Sequence, residues 1–160
     1  MSGTGLGAEG SLDYFTKQQC SVQWRAFLGA LSSELGAQIP ADELRVLMAR
    51  LGKSMAQSIP APTGNTIEEL TKSINSIWFD INWGWVDLIE RDNGLFIEHH
   101  VAPLLEAFGE EALIWSPAIL EGVYAHWFAE ISSNPALQLT QVEPMKPGKV
   151  LLLFRFGRPE

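Results

Sequence analysis

The sequence has very little cysteine and few basic residues, and each shortage excludes a class of protein. Cys20 is the only cysteine in 160 residues. Neither an intrachain disulfide nor a cysteine-based zinc site can therefore form, which fits a reducing compartment. Eleven basic residues against 19 acidic ones give a net charge of -8. That balance argues against nucleic acid or an anionic membrane surface as a partner, since both require basic patches.

Long apolar runs are missing as well. No stretch approaches the roughly 20 apolar residues that span a bilayer, so we expect no direct membrane insertion. The first residues contain no basic segment followed by an apolar one, so we expect no secretory signal. Together these absences predict a cytoplasmic protein.

The residues that are present fit one folded domain. Apolar residues make up 46% of the chain and charged residues 19%, which is typical of a globular protein. The glycine-rich residues 1–12 predict a flexible tail, which leaves residues 13–160 as a single domain. Six tryptophans are many for this length, and they suit a core, an interface or a sugar-binding face equally well.

Apolar residues at three-and-four spacing predict three helices in the first half of the chain. The first begins at Ser21 and ends at Gly36, and Pro40 opens the second. The third starts at a capping box over residues 66–69, in which a threonine hydroxyl and a glutamate carboxylate satisfy exposed amides. Gly84 is expected to end this helix.

The second half of the chain predicts two β-hairpins and one or two further helices. The residues at 92–94, Asp-Asn-Gly, are a strong turn signal between two extended runs, and Ser116-Pro117 is typical of a helix start. Two more extended runs, at 137–142 and 149–156, flank a turn at 145–148. The sequence therefore predicts an α+β fold with four or five helices and antiparallel β-hairpins.

Several short motifs lie in a fixed order between residues 19 and 158, and together they are specific. Their main residues are Asn65, Trp83, Gly84, Pro103, Trp115, Glu121, Gly122, Tyr124 and Trp127, the last five within the run WSPAILEGVYAHW. This order and spacing resemble the D subunits of bacterial cellulose synthases. The chain departs from that family in its longer glycine-rich start, in Val123, where leucine is usual, and in the His99-His100 doublet.

The resemblance implies a non-catalytic accessory subunit with no cofactor and no metal. It implies a ring-shaped homo-octamer, assembled from dimers, that works with the other subunits of the synthase complex. Passages through the ring would guide β-1,4-glucan chains towards export and crystallisation. The implied location is the cytoplasmic side of the inner membrane, beside the synthase, with the periplasm as the alternative.

The resemblance also suggests which residues act in these roles. Carried over by position, the passage candidates are Tyr14, Phe15, Lys17, Gln18, Gln19 and Gln23. Their amide and hydroxyl groups can pair with sugar hydroxyls, although the same residues also fit a frayed helix start. Candidates for the contact between subunits are Leu28, Leu31 and Leu47.

Two other functions remain open. The run LEGVY at 120–124 is faintly similar to small-molecule-binding or vesicle-tethering α+β modules. A polysaccharide hydrolase would need two carboxylates that face each other across a sugar, and its candidates are Asp80, Asp87, Glu90 and Glu121.

Two pairs of side chains allow both a functional and a structural interpretation. Trp83 and Trp85 could stack on sugar rings, but we expect one in the core and one at an interface, because strand residues alternate between faces. For the same reason the adjacent His99 and His100 should point to opposite faces and not bind one ion. We therefore predict no metal site at this pair.

Overall fold

The computed structural model describes residues 20–145 and 151–160, which form an α+β fold of five α-helices, one 3-10 helix and a four-stranded sheet. The helices are α1 (Val22–Gln38), α2 (Ala41–Ser58), α3 (Ile67–Ile81), α4 (Leu104–Phe108) and α5 (Ala118–Ser132), with the 3-10 helix at Glu110–Ile114. The strands are β1 (Trp85–Arg91), β2 (Gly94–His100), β3 (Gln138–Gln141) and β4 (Leu151–Gly157). The α+β prediction is confirmed. Predictions for residues 1–19 and for the turn beyond Met145 lie outside the described residues.

The sheet is antiparallel throughout, with the strand order β1-β2-β4-β3. A tight turn joins β1 to β2 and sets their register, in which Arg91 pairs with Gly94. The first predicted hairpin is therefore confirmed. Strands β3 and β4 also pair with each other, but β4 lies between β2 and β3 and joins both pairs into one sheet.

The core lies between the inner face of the sheet and the helices, mainly α3 and α5. It is rich in aromatic side chains, and the fully buried ones include Trp78, Tyr124, Trp127 and Phe154. The Tyr124 and Phe154 rings lie 5.6 Å apart, which joins α5 to the central strand β4. Four of the six tryptophans (Trp78, Trp83, Trp115 and Trp127) belong to this core or pack against it.

Helices α2 and α5 pack against each other more extensively than any other pair of elements, and two glycines allow this. A Cβ atom on Gly52 would overlap the carbonyl oxygen of Ile119, and one on Gly122 would overlap the carbonyl oxygen of Ala49. Each helix therefore presents its glycine to the backbone of the other. Because a side chain at either position would push the helices apart, Gly122 of the family motif is a packing residue.

The start of α3 is as predicted, but its end is not. The backbone N–H of Glu69 donates to Thr66 Oγ1 at 3.1 Å, and Glu69 Oε2 accepts from the Asn65 N–H at 2.8 Å. The helix ends at Ile81, and its C-cap is Asn82, whose φ of 59° lies in the left-handed region, and not Gly84. Gly84 has a φ of +87° and a different role, since its Cβ would overlap the carbonyl oxygen of His100.

Two other helix boundaries also differ from the prediction. Helix α1 continues past Gly36 to Gln38, because a single glycine weakens a helix without ending it. Pro117, and not Ser116, is the residue before α5, and Ser116 makes no capping hydrogen bond. The buried Ser116 hydroxyl has no hydrogen-bond partner among the described residues.

Candidate functional site: an exposed helix face and a buried motif cluster

Helix α1 exposes its largest apolar side chains to solvent. Trp24, Phe27 and Leu31 are 53%, 58% and 40% exposed. Their spacing of three and four residues places them on one side of the helix, which we call the α1 face. The Trp24 and Phe27 rings pack edge to face, with centroids 5.9 Å apart. This exposed apolar surface makes the α1 face a candidate interaction site.

The side of α1 that faces the rest of the chain carries Leu28 and Leu35, which are half-buried, together with smaller residues. Ser32 is buried, and its hydroxyl donates to the carbonyl oxygen of Phe108 at 2.8 Å. A groove of about 860 Å³ separates this side from α4 and the 3-10 helix, and Gly29 and Gly36 line it. The helix therefore has apolar residues both on its inward side and on the α1 face, whereas a surface helix normally has a single apolar stripe that faces the core.

The residues predicted for glucan passage and subunit contact lie in different environments. Tyr14, Phe15, Lys17, Gln18 and Gln19 are outside the described residues, and Gln23 is exposed near the start of α1. Of the interface candidates, Leu31 is exposed, whereas Leu28 and Leu47 are half-buried.

Trp24 and Phe27 were not among the predicted interface residues. Their helical spacing was visible in the sequence, but it does not show which side of the helix faces the core.

A continuous chain of hydrogen bonds runs through the core. Trp78 Nε1 donates to the Tyr124 hydroxyl at 2.9 Å, and that hydroxyl lies 2.5 Å from His99 Nδ1. His99 Nε2 lies 2.7 Å from the carbonyl oxygen of Trp83. Because a carbonyl oxygen can only accept, the proton is assigned to Nε2 of His99, and Nδ1 then accepts from Tyr124. Every polar atom in this chain of bonds then has a partner.

Burial keeps both titratable groups of this network neutral. It lowers the pKa of His99 from its usual 6.5 to about 4, against the smaller opposing effect of the hydrogen bond to Trp83. Burial also raises the pKa of Tyr124 well above its usual value, while the hydrogen bond from Trp78 opposes this. The network therefore holds α3, α5 and β2 together without a buried charge.

Glu121 of the motif is a half-buried ion-pair partner and not an open carboxylate. Its Oε2 lies 2.6 Å from Nη2 of Arg45 on α2. Burial raises the pKa of Glu121, and the charge of Arg45 opposes this shift. Arg45 also donates to the carbonyl oxygen of Ile114 and to Gln141 Oε1, both at 3.0 Å. One arginine therefore links α2 to the 3-10 helix, to α5 and to β3.

The hydrolase candidates Glu121 and Asp87 do not face each other. Glu121 lies between α2 and α5, whereas Asp87 is exposed on the outer face of the sheet, opposite the helices. A glycosidase needs its two carboxylates across one sugar ring, so this pair does not form such a site.

The remaining motif residues are buried or pack against the core. Trp83 stacks on Trp78, with ring centroids 5.9 Å apart and planes 19° apart, so one of the two neighbouring tryptophans packs against the core as expected. Trp85 is partly exposed on the outer face of the sheet. Besides Gly122 and Tyr124, the buried motif residues are Pro103, Trp115 and Trp127. The Trp127 indole N–H has no hydrogen-bond partner among the described residues.

The two neighbouring histidines point to opposite faces, as predicted. His99 is in the core, and His100 lies on the outer face with Asp87 and Glu98. These three outer-face residues are the one set in the described ranges whose ligand atoms lie close enough to hold a metal, within 4.8 Å of one another. In the same ranges no helix is both long and apolar enough to cross a membrane.

The described residues thus define a small α+β protein with an exposed aromatic helix face and a core fixed by the motif residues. The model of the family of cellulose synthase D subunits matches residues 10–154. Two proteins named cellulose synthase operon protein D, from Komagataeibacter xylinus and Komagataeibacter sucrofermentans, are each 35% identical to this chain. Both matches span 111 residues, or 68% of this chain and 69% of the relative. The chain belongs to the family of cellulose synthase D subunits, and this membership supports a role in cellulose synthesis.

A vinyl-4-reductase family protein from Methanocaldococcus jannaschii aligns with a TM-score of 0.48 and 17% sequence identity, over 100% of this chain and 99% of that one. At this score and identity the likeness carries no argument about function.

Proposed function

We propose that the chain is a non-catalytic accessory subunit of a cellulose synthase complex. It assembles into a ring-shaped homo-octamer built from dimers and guides β-1,4-glucan chains towards export and crystallisation. Family membership supports the link to cellulose synthesis, and the α1 face supports self-assembly. We place the ring on the cytoplasmic side of the inner membrane, beside the other synthase subunits.

The exposure of the aromatic residues in the α1 face is the observation that carries this proposal. Exposing Trp24 and Phe27 in water is unfavourable, because each ring keeps roughly 100 Å² of apolar surface that burial would remove. At about 25 cal/mol per Å², covering each ring contributes roughly 2 to 3 kcal/mol. A second copy of the chain is the proposed occupant, because a two-fold contact covers the same face on both copies.

The guiding role follows from symmetry and from weak contacts. A closed ring repeats every surface at equal intervals, so several glucan chains can be held apart and released close together. Gln23 lies on the same helix as the α1 face, and the other passage candidates directly precede that helix in the sequence. Repeated single hydrogen bonds suit a chain that must slide, because tight binding would stop its movement.

The native mass of two variants tests the assembly step. The unmodified protein should give about 142 kDa by light scattering after gel filtration, which is eight copies of the 17.7 kDa chain. Phe27→Glu places a charge in the α1 face and should reduce the mass to that of a smaller species. Ala26→Glu is the matched control, since Ala26 is also exposed on α1 but lies outside the α1 face, so the octamer should persist.

Two results would contradict the assembly proposal: an unmodified protein that is monomeric at working concentration, or an unchanged mass for Phe27→Glu. A reducing-sugar assay on soluble cellulose separates the accessory role from the hydrolase alternative. We expect no release of reducing ends, and release that depends on Glu121 or Asp87 would favour hydrolysis.

A further inference from the structure

The β1–β2 hairpin brings together three ligand groups on its outer face. Its register pairs Asp87 with Glu98 and Trp85 with His100, and alternate residues share a face. His100 Nε2 therefore lies 3.1 Å from Asp87 Oδ2 and 3.8 Å from Glu98 Oε2. The three ligand atoms lie within 4.8 Å of one another.

We propose that Asp87, Glu98 and His100 bind a divalent first-row transition ion, with Zn²⁺ as the leading candidate. Zinc takes histidine nitrogen and carboxylate oxygen at roughly 2.0 to 2.2 Å. Two ligands at such distances are roughly 3.0 to 4.2 Å apart for bond angles from about 90° upwards. The two distances from His100 Nε2 lie in this range, and the imidazole favours zinc over magnesium or calcium, which prefer oxygen ligands.

The arrangement of charges is a second reason to expect a cation here. Asp87 and Glu98 are direct cross-strand partners, and like charges directly opposite each other destabilise a β-sheet. A divalent ion between the two carboxylates would remove this repulsion. His100 adds a nitrogen ligand to the two carboxylates.

The site is held by its surroundings but remains open to solvent. The Trp85 ring stacks on the His100 ring, with centroids 5.4 Å apart and planes 15° apart, which fixes the orientation of the imidazole. The side chains of His100 and Glu98 are 24% and 27% exposed, and that of Asp87 is 61% exposed. An ion can therefore enter from solvent and keep at least one position for water or another ligand. This inference goes beyond the proposed function, which requires no metal.

Metal titration of the untagged full chain tests the site. Protein stripped with a chelator should bind one Zn²⁺ per chain at neutral pH by calorimetry. Co²⁺ should give a visible d–d absorption band that Zn²⁺ abolishes. His100→Ala and Asp87→Asn should each weaken Zn²⁺ binding at least tenfold, because even residues that only support a metal ligand are worth about 10- to 100-fold.

The matched control is His126→Ala. His126 Nε2 lies 3.4 Å from a single carboxylate, that of Glu130, and this pair is not part of the three-ligand set, so Zn²⁺ affinity should not change. Circular dichroism checks that each variant is folded, and the exposed Asp87→Asn decides the question if His100→Ala does not fold. The proposal is wrong if Zn²⁺ binding is not saturable or if the folded site variants bind it as tightly as the unmodified chain.

Discussion

Acid should destabilise the folded chain through one buried histidine. Burial lowers the pKa of His99 from 6.5 to about 4, and the nearby charge of His100 adds to this effect. In the unfolded chain His99 takes up a proton as the pH falls through about 6.5, whereas in the folded chain it stays neutral until about pH 4. Between these values the unfolded state binds more protons, so the free energy of unfolding decreases as the pH falls.

The size of this effect follows from the two pKa values. A difference of about 2.5 units at 1.36 kcal/mol per unit gives a total loss of about 3 kcal/mol below pH 4. At pH 5 the same linkage predicts about 2 kcal/mol less stability than at pH 8. The raised pKa of Glu121 acts in the opposite direction, because the folded state then takes up that proton first. Comparison with a variant that lacks only His99 separates the two contributions.

Urea unfolding followed by tryptophan fluorescence, at one protein concentration between pH 4.5 and 8, measures the effect. His99→Gln should be less stable at pH 7.5 by about 1 to 3 kcal/mol, since Tyr124 and Trp83 lose a well-placed partner. Its deficit should shrink by about 2 kcal/mol by pH 5. His126→Gln is the control substitution, at a histidine that is not part of this hydrogen-bond network. Parallel curves for the unmodified chain and His99→Gln would refute the reasoning.

Five further substitutions at four positions test the packing, the backbone and the Arg45 hydrogen bonds, each by thermal or urea unfolding. Gly122→Ala should cost about 2 kcal/mol or more, because the new methyl group meets the Ala49 backbone. Gly36→Ala, with nothing within 4 Å of the new methyl group, should stabilise α1 by up to about 1 kcal/mol, and equal effects at the two glycines would contradict the close packing. Asn82→Gly should be nearly neutral, whereas Asn82→Val should cost about 1 to 2 kcal/mol at this left-handed position; equal stability would argue against that backbone conformation. Arg45→Met should cost about 2 kcal/mol through lost charged hydrogen bonds, and no loss would show that these bonds contribute little.

The helices and the first hairpin could be predicted because their signals are local. The capping box from Thr66 to Glu69 and the turn before Gly94 each need only a few neighbouring residues, and both are present as expected. The predictions were wrong where contacts between residues distant in the sequence determine the local structure. Gly84 was expected to end a helix. Instead, a glycine is needed there because the backbone at the end of β2 passes so close that a Cβ atom would overlap it. This close contact between two distant backbone segments cannot be predicted from a single sequence.

The functional surfaces were harder to predict, for two reasons. Periodicity identified the apolar spacing of Trp24 and Phe27 but not the side of α1 that faces solvent, which depends on how α4 packs. The metal ligands follow from the hairpin register, so the pairing of Asp87 with Glu98 could have been derived once the turn was placed. The adjacent histidines point to opposite faces, whereas the proposed ligands are cross-strand neighbours on one face.

The central position of β4 has a consequence for how the chain folds during synthesis. Residues 97 and 154 are direct partners across β2 and β4, so the sheet depends on contacts between distant parts of the sequence. Until residues 151–157 have left the ribosome, β2 and β3 each present an unpaired edge, and pairings of this kind form slowly. Open edges are templates for aggregation, so a chain shortened before residue 151 should be insoluble and depend on chaperones. The formation of the sheet is therefore tied to the translation of its last strand.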